Sequence, residues 1–178
     1  MKIIAVTGPE SSGKTSFARY TADRLPNSLF IEEHSRTYLE KNYPDGNFPK
    51  SAIAAMLNEQ IEIWDKALSE DLDYLILDGD ITIYKVWIEV VYGEKWPQIE
   101  DYIKAFEPTI TVLCKPDIPW ISDPLRCNPD DRDDLYVIYK NQLATLGRPY
   151  IILEGPLETR NSETFDLVSG APSINEFE

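Results

Sequence analysis

The stretch Gly8-Pro9-Glu10-Ser11-Ser12-Gly13-Lys14-Thr15 matches the phosphate-binding pattern G-x-x-x-x-G-K-[ST] without a mismatch. It follows the apolar run 3–6, which is typical of a buried strand, and residues 15–25 after it are typical of a helix. Strand, loop and helix are the context that the pattern requires, although a glycine-rich turn closing a βα unit is an alternative. The stretch therefore predicts a loop that binds a nucleoside triphosphate.

Each residue type in this loop suits the binding of phosphate. Gly8 and Gly13 allow backbone angles that other residues avoid, so that successive N–H groups can surround an anion. Lys14 can reach the β- and γ-phosphates, and the Thr15 hydroxyl can bind Mg²⁺. The predicted nucleotide-binding residues of the loop are Gly8, Pro9, Glu10, Ser11, Ser12, Gly13, Lys14, Thr15 and Ser16. The predicted cofactors are ATP and Mg²⁺.

The composition restricts the partners of the chain. Its 178 residues have the size of one domain, so we predict a single domain over residues 1–178. A net charge of −14, from 31 acidic and 17 basic residues, argues against nucleic acid or an anionic membrane as a partner. No apolar run approaches the roughly 18 residues of a membrane span, and the early strand leaves no room for a signal peptide. We expect a cytoplasmic protein that acts on a small molecule.

Strand-like and helix-like segments alternate along the chain, which is typical of a parallel sheet with helices on both faces. The predicted strands span residues 2–7, 28–31, 73–77, 109–114 and 150–153. The predicted helices span residues 15–25, 33–41, 49–69, 82–92, 98–106 and 162–168, and a further helix follows Asp130 or Asp131 and runs to about residue 146. The predicted fold class is therefore α/β, with a five-stranded parallel sheet between two layers of helices.

A proline-rich loop over about residues 115–132 follows the fourth predicted strand. Loops of this length are usually functional and often form lids. Arg126 and Arg132 lie in and just after it, and a mobile arginine can stabilise the charge that develops on a transferred phosphoryl group. Ion pairing with nearby aspartates is a compatible alternative. Trp120 could stack on a flat substrate, although packing is its simpler role, and Arg160 could reach the adenine side.

Charged side chains follow two of the predicted strands, at the edge where ligands of open α/β folds bind. Asp78 can complete a Mg²⁺ shell or cap the next helix. Asp80 could bind sugar hydroxyls, act as a base, or cap the helix that begins near Thr82. Glu33 could remove the proton from an attacking hydroxyl. Arg36 could bind a substrate anion or pair with Glu33 across one helical turn.

Several segments together resemble a known family. They are the loop 8–15, Glu33-x-x-Arg36-x-Tyr38-Leu39, Asp78-Gly79-Asp80, Tyr92-Gly93 and Trp120-x-x-Asp123-x-Leu125-Arg126. In that order they resemble the ribosylnicotinamide kinase domain of NadR and related stand-alone ATPases or kinases of NAD metabolism, over about residues 3–160. The resemblance implies a P-loop NTPase of the nucleoside- and nucleotide-kinase type, which moves the γ-phosphate of ATP to the 5′-hydroxyl of a nucleoside-like acceptor, with ribosylnicotinamide as the best candidate.

The resemblance also implies roles for single residues. Lys14 and Thr15 would bind phosphate and Mg²⁺, and Asp78 would serve the metal. Glu33 and Asp80 would face the acceptor, and Arg126 would act from the lid. Together with the residues considered above, the predicted catalytic residues are Lys14, Glu33, Asp80 and Arg126, and the predicted acceptor-binding residues are Glu33, Arg36, Asp80, Trp64 and Trp120. The sequence departs from the family at Glu32, where the family places an aromatic residue that stacks on the pyridine ring. Trp64 lies beside the position of a second stacking residue and could substitute for it.

Two other functions remain open. The acceptor could be another nucleoside or a nucleotide, or the protein could be a non-enzymatic ATP-operated switch or regulatory ATPase whose lid is read by a partner protein. The chain has no Asn-Lys-x-Asp guanine signature, so ATP is the expected nucleotide. A switch predicts slow hydrolysis that does not depend on an acceptor, whereas a kinase predicts a stoichiometric phosphorylated product.

Overall fold

The computed structural model describes residues 1–122 and 130–170, and within them five parallel strands form one sheet. The strands are β1 (Lys2–Thr7), β2 (Ser28–Ile31), β3 (Tyr74–Asp78), β4 (Ile110–Cys114) and β5 (Tyr150–Leu153), in the spatial order β2-β3-β1-β4-β5. The helices are α1 (Lys14–Ala22), α2 (His34–Asn42), α3 (Lys50–Leu68), α4 (Ile81–Tyr92), α5 (Pro97–Ala105), α6 (Arg132–Thr145) and α7 (Arg160–Gly170).

The central strands are apolar because both faces of the sheet are covered by helices. Along β3 the side chains alternate between the faces, so that Leu75 and Leu77 pack with α3, α4 and α5 while Ile76 packs with α1 and α7. The register that pairs Ile4 of β1 with Ile76 of β3 and with Ile110 of β4 continues this second core across the sheet. The three-layer α/β fold predicted from the sequence is therefore confirmed.

The predicted strands agree with the structure to within one residue, and the larger differences are at helix ends. Helix α1 ends at Ala22 instead of residue 25. The N–H groups of Arg24 and Leu25 share the Thr21 carbonyl, and Pro26, which has no N–H, cannot continue the helix. Helix α7 spans 160–170 instead of 162–168, with the N–H of Arg160 bonded to Pro156. In the described ranges, no helix is long and apolar enough to cross a membrane.

The loop after β1 leaves the sheet against the end of β4. Gly8 has φ +135°, and a Cβ atom at this position would lie 2.7 Å from the Cys114 carbonyl oxygen. On the other side of β1, the N–H of Gly79 bonds to the Val6 carbonyl at 2.8 Å. The loop after β1 and the turn after β3 therefore begin side by side at the carboxyl edge of the sheet, where open parallel sheets bind ligands.

Gly8→Ala is expected to reduce the free energy of unfolding by about 2–5 kcal/mol, because both the backbone angle and the space exclude a Cβ atom. Gly46→Ala is the matched control: Gly46 also has a positive φ (+73°), but no heavy atom lies within 4 Å of the added carbon. That control should lose about 1 kcal/mol. Urea unfolding measures both, and equal losses would contradict the steric role of Gly8.

Candidate functional site

The loop between β1 and α1 folds back on itself through side-chain bonds to one carbonyl. The Ser12 hydroxyl and the Lys14 ammonium both donate to the Pro9 carbonyl oxygen, at 2.7 and 2.9 Å. Positive φ angles at Ser11 (52°) and Gly13 (88°) produce the tight curvature that this requires. The Lys14 ammonium is thereby held beside the loop, and Thr15 and Ser16 are exposed in the first turn of α1.

Asp78 ends β3 next to this loop, with only 4% of its surface exposed. Burial raises the pKa of Asp78 to about 6, against the lowering effects of a hydrogen bond from Thr15 and the charge of Lys14. Within the described part of the chain, its Oδ1 atom has no hydrogen-bond partner. A buried carboxylate oxygen left unpaired beside a threonine hydroxyl is suited to a hard cation such as Mg²⁺, which prefers oxygen ligands.

Glu33 follows β2 and occupies the N-cap position of α2. Its Oε1 atom accepts a hydrogen bond from the Ser35 hydroxyl at 2.5 Å, which orients the carboxylate. Its Cγ atom lies 3.7 Å from where a Cβ atom would stand on Gly79, and its charge contributes to the raised pKa of Asp78. The structure thus brings Glu33 and Asp78 together at the carboxyl edge, as predicted.

Asp80 lies two residues beyond Asp78 but faces the protein interior, with 1% of its surface exposed. Its Oδ1 atom accepts hydrogen bonds from the N–H and the hydroxyl of Thr82, which cap α4. Its Oδ2 atom pairs with Arg148 Nη1 at 3.2 Å. This corrects the prediction that Asp80 faces the acceptor or acts as a base, because its oxygens are used by the helix cap and by a buried arginine.

Arg148 is a residue that the sequence interpretation missed. It lies between α6 and β5, and it donates to Asp80 and to the carbonyl oxygens of Ile103 (3.3 Å) and Phe106 (2.8 Å). The partners are 42 to 68 residues away in sequence, so no local pattern indicates the contact. Arg148 therefore positions the turn after β3 from a segment 68 residues further along the chain.

The described ends of the proline-rich loop contact the phosphate loop at Ser11. The N–H of Ile121 donates to the Ser11 hydroxyl at 3.0 Å, and Arg132 Nη1 donates to the carbonyl oxygens of Ser11 and Ile118, both at 3.1 Å. The guanidinium of Arg132 lies over the ring of Trp120, with 5.5 Å to its centroid. Arg132 and Trp120 thus lie beside the phosphate loop. Arg126 belongs to residues 123–129, outside the described residues.

Arg160 is buried at the start of α7 and does not reach out to a nucleotide. Its Nη2 atom donates to the carbonyl oxygens of Leu153 (2.8 Å), Lys115 (3.2 Å) and Ser12 (3.4 Å). Its Nη1 atom pairs with Asp117 at 2.9 Å. This corrects the prediction that Arg160 reaches the adenine side: the residue supports the backbone of the phosphate loop from behind.

Trp64 lies in the core and not at an open acceptor site, because only 2% of its surface is exposed. Its ring stacks on Phe106 at 6.5 Å between centroids and packs against Tyr102 at 5.7 Å. This corrects the prediction that Trp64 stacks on a substrate ring. Arg36 is largely exposed and pairs with Glu40 one turn further along α2, at 3.3 Å.

A phosphate-binding loop that joins a central parallel strand to a helix, with a buried acid at the end of the neighbouring strand, defines a P-loop NTPase. The chain belongs to the family described as AAA domain, whose model matches residues 3–160. No curated protein sequence matches the chain significantly.

Solved structures confirm the predicted resemblance to NadR at the level of the fold. NadR in complex with NR has a TM-score of 0.77 at 23% identity, covering 97% of this chain and 52% of that one. NadR with NAD and AMP-PNP has a TM-score of 0.73 at 24% identity, covering 94% and 48%. The chain therefore spans about half the length of these NadR structures.

Two nucleoside and nucleotide kinases share the same fold over almost their whole length. Deoxyadenosine kinase from M. mycoides has a TM-score of 0.68 at 14% identity, covering 95% of this chain and 100% of that one. Thymidylate kinase from Ehrlichia chaffeensis has a TM-score of 0.64 at 16% identity, covering 94% and 98%. The fold is thus that of P-loop kinases.

Asp78→Asn is expected to stabilise the ligand-free protein at pH 8. Burial raises the pKa of this carboxyl from 3.8 to about 6, so the folded protein binds the Asp78 proton more tightly than the unfolded chain does. The stability that this proton supplies is complete below about pH 4 and is lost as the pH rises through 6. Removing the charge should therefore raise the free energy of unfolding by about 1–3 kcal/mol at pH 8, and by less as the pH falls towards 4. Urea unfolding at several pH values measures this, and a loss of stability at pH 8 would contradict it.

Asp80→Asn is the matched contrast. It removes one partner of a buried ion pair, leaves the Arg148 charge uncompensated, and should lower the free energy of unfolding by about 3–5 kcal/mol.

Proposed function

We propose that this protein is an ATP-dependent phosphotransferase, which moves the γ-phosphate of Mg-ATP to the 5′-hydroxyl of a nucleoside-like acceptor, with ribosylnicotinamide as the first candidate. The observation that carries the proposal is the position of the Glu33 carboxylate beside Asp78, at the same edge as the phosphate loop. Binding a nucleotide alone requires no base at this place, whereas transfer to a hydroxyl does. The shared fold with kinases and with a NadR structure in complex with NR supports this assignment.

The loop and the end of β3 would hold the nucleotide and its metal. The backbone N–H groups of the loop and the Lys14 ammonium would bind the phosphates, in exchange for the bond that Lys14 makes to Pro9. Thr15 and Asp78 would hold Mg²⁺, and the unpaired Oδ1 atom of Asp78 fits that role. When bound, Mg²⁺ supplies positive charge that offsets the charge of the phosphates. Among the described residues, no group of three or more His, Cys, Asp or Glu side chains could hold a metal ion. Mg²⁺ at such sites usually binds one or two carboxylates together with phosphate and water oxygens.

Glu33 would act on the acceptor. In its ionised form the carboxylate can accept the proton of the 5′-hydroxyl, and the hydrogen bond from Ser35 keeps it oriented. Arg36 lies on the same helix, one turn beyond, where it would help to bind the acceptor. The role of Arg126 as a lid residue that stabilises charge on the transferred phosphoryl group stays a prediction, as does the lid over residues 115–132.

The first test is acceptor-dependent consumption of Mg-ATP by the purified protein. ADP release that depends on ribosylnicotinamide, together with a product heavier than the riboside by one phosphate, would support the kinase and its acceptor. Transfer to other nucleosides only would keep the kinase and replace the acceptor. ATP binding with slow hydrolysis that no acceptor accelerates would overturn the kinase in favour of a nucleotide-operated switch.

Lys14→Ala should lower the turnover number for phosphoryl transfer by at least about 100-fold, because it removes a positive charge aimed at the phosphates. The fold should remain, since the Lys14 side chain is only partly buried. Lys104→Ala, which removes an exposed lysine on α5, is the control and should leave the kinetics unchanged. Full activity of Lys14→Ala would show that the loop does not bind the transferred phosphate.

Glu33→Gln should lower kcat by about 10²–10⁴-fold while leaving the KM for ATP within about twofold, because only proton transfer from the acceptor is affected. Glu62→Gln, at an exposed position on α3, is the control. Steady-state kinetics with saturating acceptor provide the measurement. Unchanged kcat in the Glu33 variant would exclude it as the base.

A further inference from the structure

Two buried polar groups near Glu33 have no partner within the described ranges. They are the Nε2 atom of Gln60 on α3 and the hydroxyl of Tyr84 on α4, in residues that are 1% and 2% exposed. Buried polar groups are nearly always hydrogen-bonded, since leaving one unpaired is costly. Neither group takes part in the binding of ATP or in the proton transfer proposed above. Both therefore require an explanation.

The orientation of the Gln60 amide is fixed by the backbone. Its Oε1 atom accepts a hydrogen bond from the N–H of His34 at 2.7 Å. The opposite orientation would place the amide NH₂ group against another N–H donor, so the assignment of oxygen and nitrogen is unambiguous. The Nε2 atom must consequently donate in another direction, where the described chain offers no acceptor.

Both groups lie at the carboxyl edge of the sheet, close to the proposed base. Gln60 is bonded to the residue that follows Glu33. Tyr84 belongs to the first turn of α4; burial raises the pKa of its phenol, and the nearby carboxylates of Glu33 and Glu59 raise it further. Tyr84 also shares one apolar cluster with Leu57, which precedes Gln60 by about one turn of α3. The two unpaired groups thus lie on α3 and α4, and both are near Glu33.

The chemistry of the pair selects the kind of atom it can bind. The Gln60 NH₂ group only donates hydrogen bonds, and a neutral phenol donates readily to a carbonyl oxygen. The carboxylates of Glu33 and Glu59 would repel an anion here. His34 pairs with Glu59 at 2.7 Å and can offset part of that charge, but not the charge of Glu33. The matching group is therefore a neutral acceptor on a ring that is itself uncharged or cationic. A carbonyl oxygen has two lone pairs and can accept from both donors, whereas a ring nitrogen has only one.

We propose that Gln60 Nε2 and the Tyr84 hydroxyl bind a carbonyl or carboxamide oxygen on the ring of the nucleoside acceptor, and that they select such rings over rings without this oxygen. The inference rests on the proposed kinase function and specifies its acceptor. Ribosylnicotinamide carries a carboxamide and uridine carries ring carbonyls, whereas adenosine carries neither. A buried water that joins the two donors is the competing explanation.

The test compares ribosylnicotinamide with the pyridinium riboside that lacks the carboxamide. Tyr84→Phe removes only the unpaired hydroxyl and should raise the KM for ribosylnicotinamide by about 5- to 20-fold, with the KM for ATP unchanged. Gln60→Glu keeps the oxygen that binds His34 N–H but replaces the donor, and should raise the same KM by at least about tenfold. Neither variant should weaken the use of the riboside without a carboxamide.

Tyr102→Phe is the matched control, because it removes a hydroxyl of the same cluster that bonds to Asp65 at 3.2 Å. It should leave both acceptors unaffected. Wild-type KM values for ribosylnicotinamide in the Tyr84 and Gln60 variants would overturn the inference in favour of the water. Equal losses with the two ribosides would also overturn it, because the effect would then be structural.

Failure of the kinase proposal can be distinguished from failure of this inference. If the wild-type protein phosphorylates neither riboside, calorimetric binding of ribosylnicotinamide, uridine and adenosine replaces the kinetic readout. Tighter binding of the carbonyl-bearing nucleosides, lost in Tyr84→Phe, would support this inference while overturning the transfer reaction. Equal binding of all three nucleosides, or a preference that Tyr84→Phe retains, would overturn the inference alone. No binding of any of them would overturn both.

Discussion

The candidate site depends on one steric constraint: Gly8, the residue that follows β1, packs against Cys114 at the end of β4. At Gly8 the backbone passes the Cys114 carbonyl with no room for a side chain. This contact turns the chain out of the sheet at the point where the loop must begin, next to the end of β3. As a result the loop and Asp78 lie side by side. The parallel register of β3, β1 and β4 therefore fixes the position of the candidate metal ligands before any ligand binds.

Asp78 and Asp80 are two residues apart and both buried, but they differ in whether their oxygens are paired. Asp78 is buried beside a threonine hydroxyl with one oxygen unpaired, which is unfavourable for the folded chain and favourable for a cation. Asp80 is buried more completely but is matched by Arg148 and by the first turn of α4. The same residue type thus leaves an oxygen available for a ligand in one case and stabilises the architecture in the other. The difference comes from Arg148 and from the N-terminal turn of α4, which pair both oxygens of Asp80.

The sequence predicted the fold well, because apolar strands and amphipathic helices leave a local periodic pattern. It also located the residues of the phosphate loop and Asp78, whose spacing is local. It could not place Asp80 or Trp64, since a carboxylate after a strand and an aromatic on a helix have the same pattern whether they meet a ligand or the core. Gln60 and Tyr84 were missed for a related reason: each is a single residue without a motif, and only the folded chain shows that its partner is absent from the described ranges.

The contacts of Arg160 link the folding of the phosphate loop to the order of synthesis. The phosphate loop is synthesised well before Arg160, but its Ser12 carbonyl is held by the side chain of this residue, 148 positions later. The same guanidinium fastens β5 and the segment after β4 to the loop. During synthesis the loop therefore lacks this support until Arg160 at the start of α7 has emerged. A nascent chain would then hold the loop in its folded geometry only once α7 has docked, so the candidate nucleotide site and the surrounding fold are completed together.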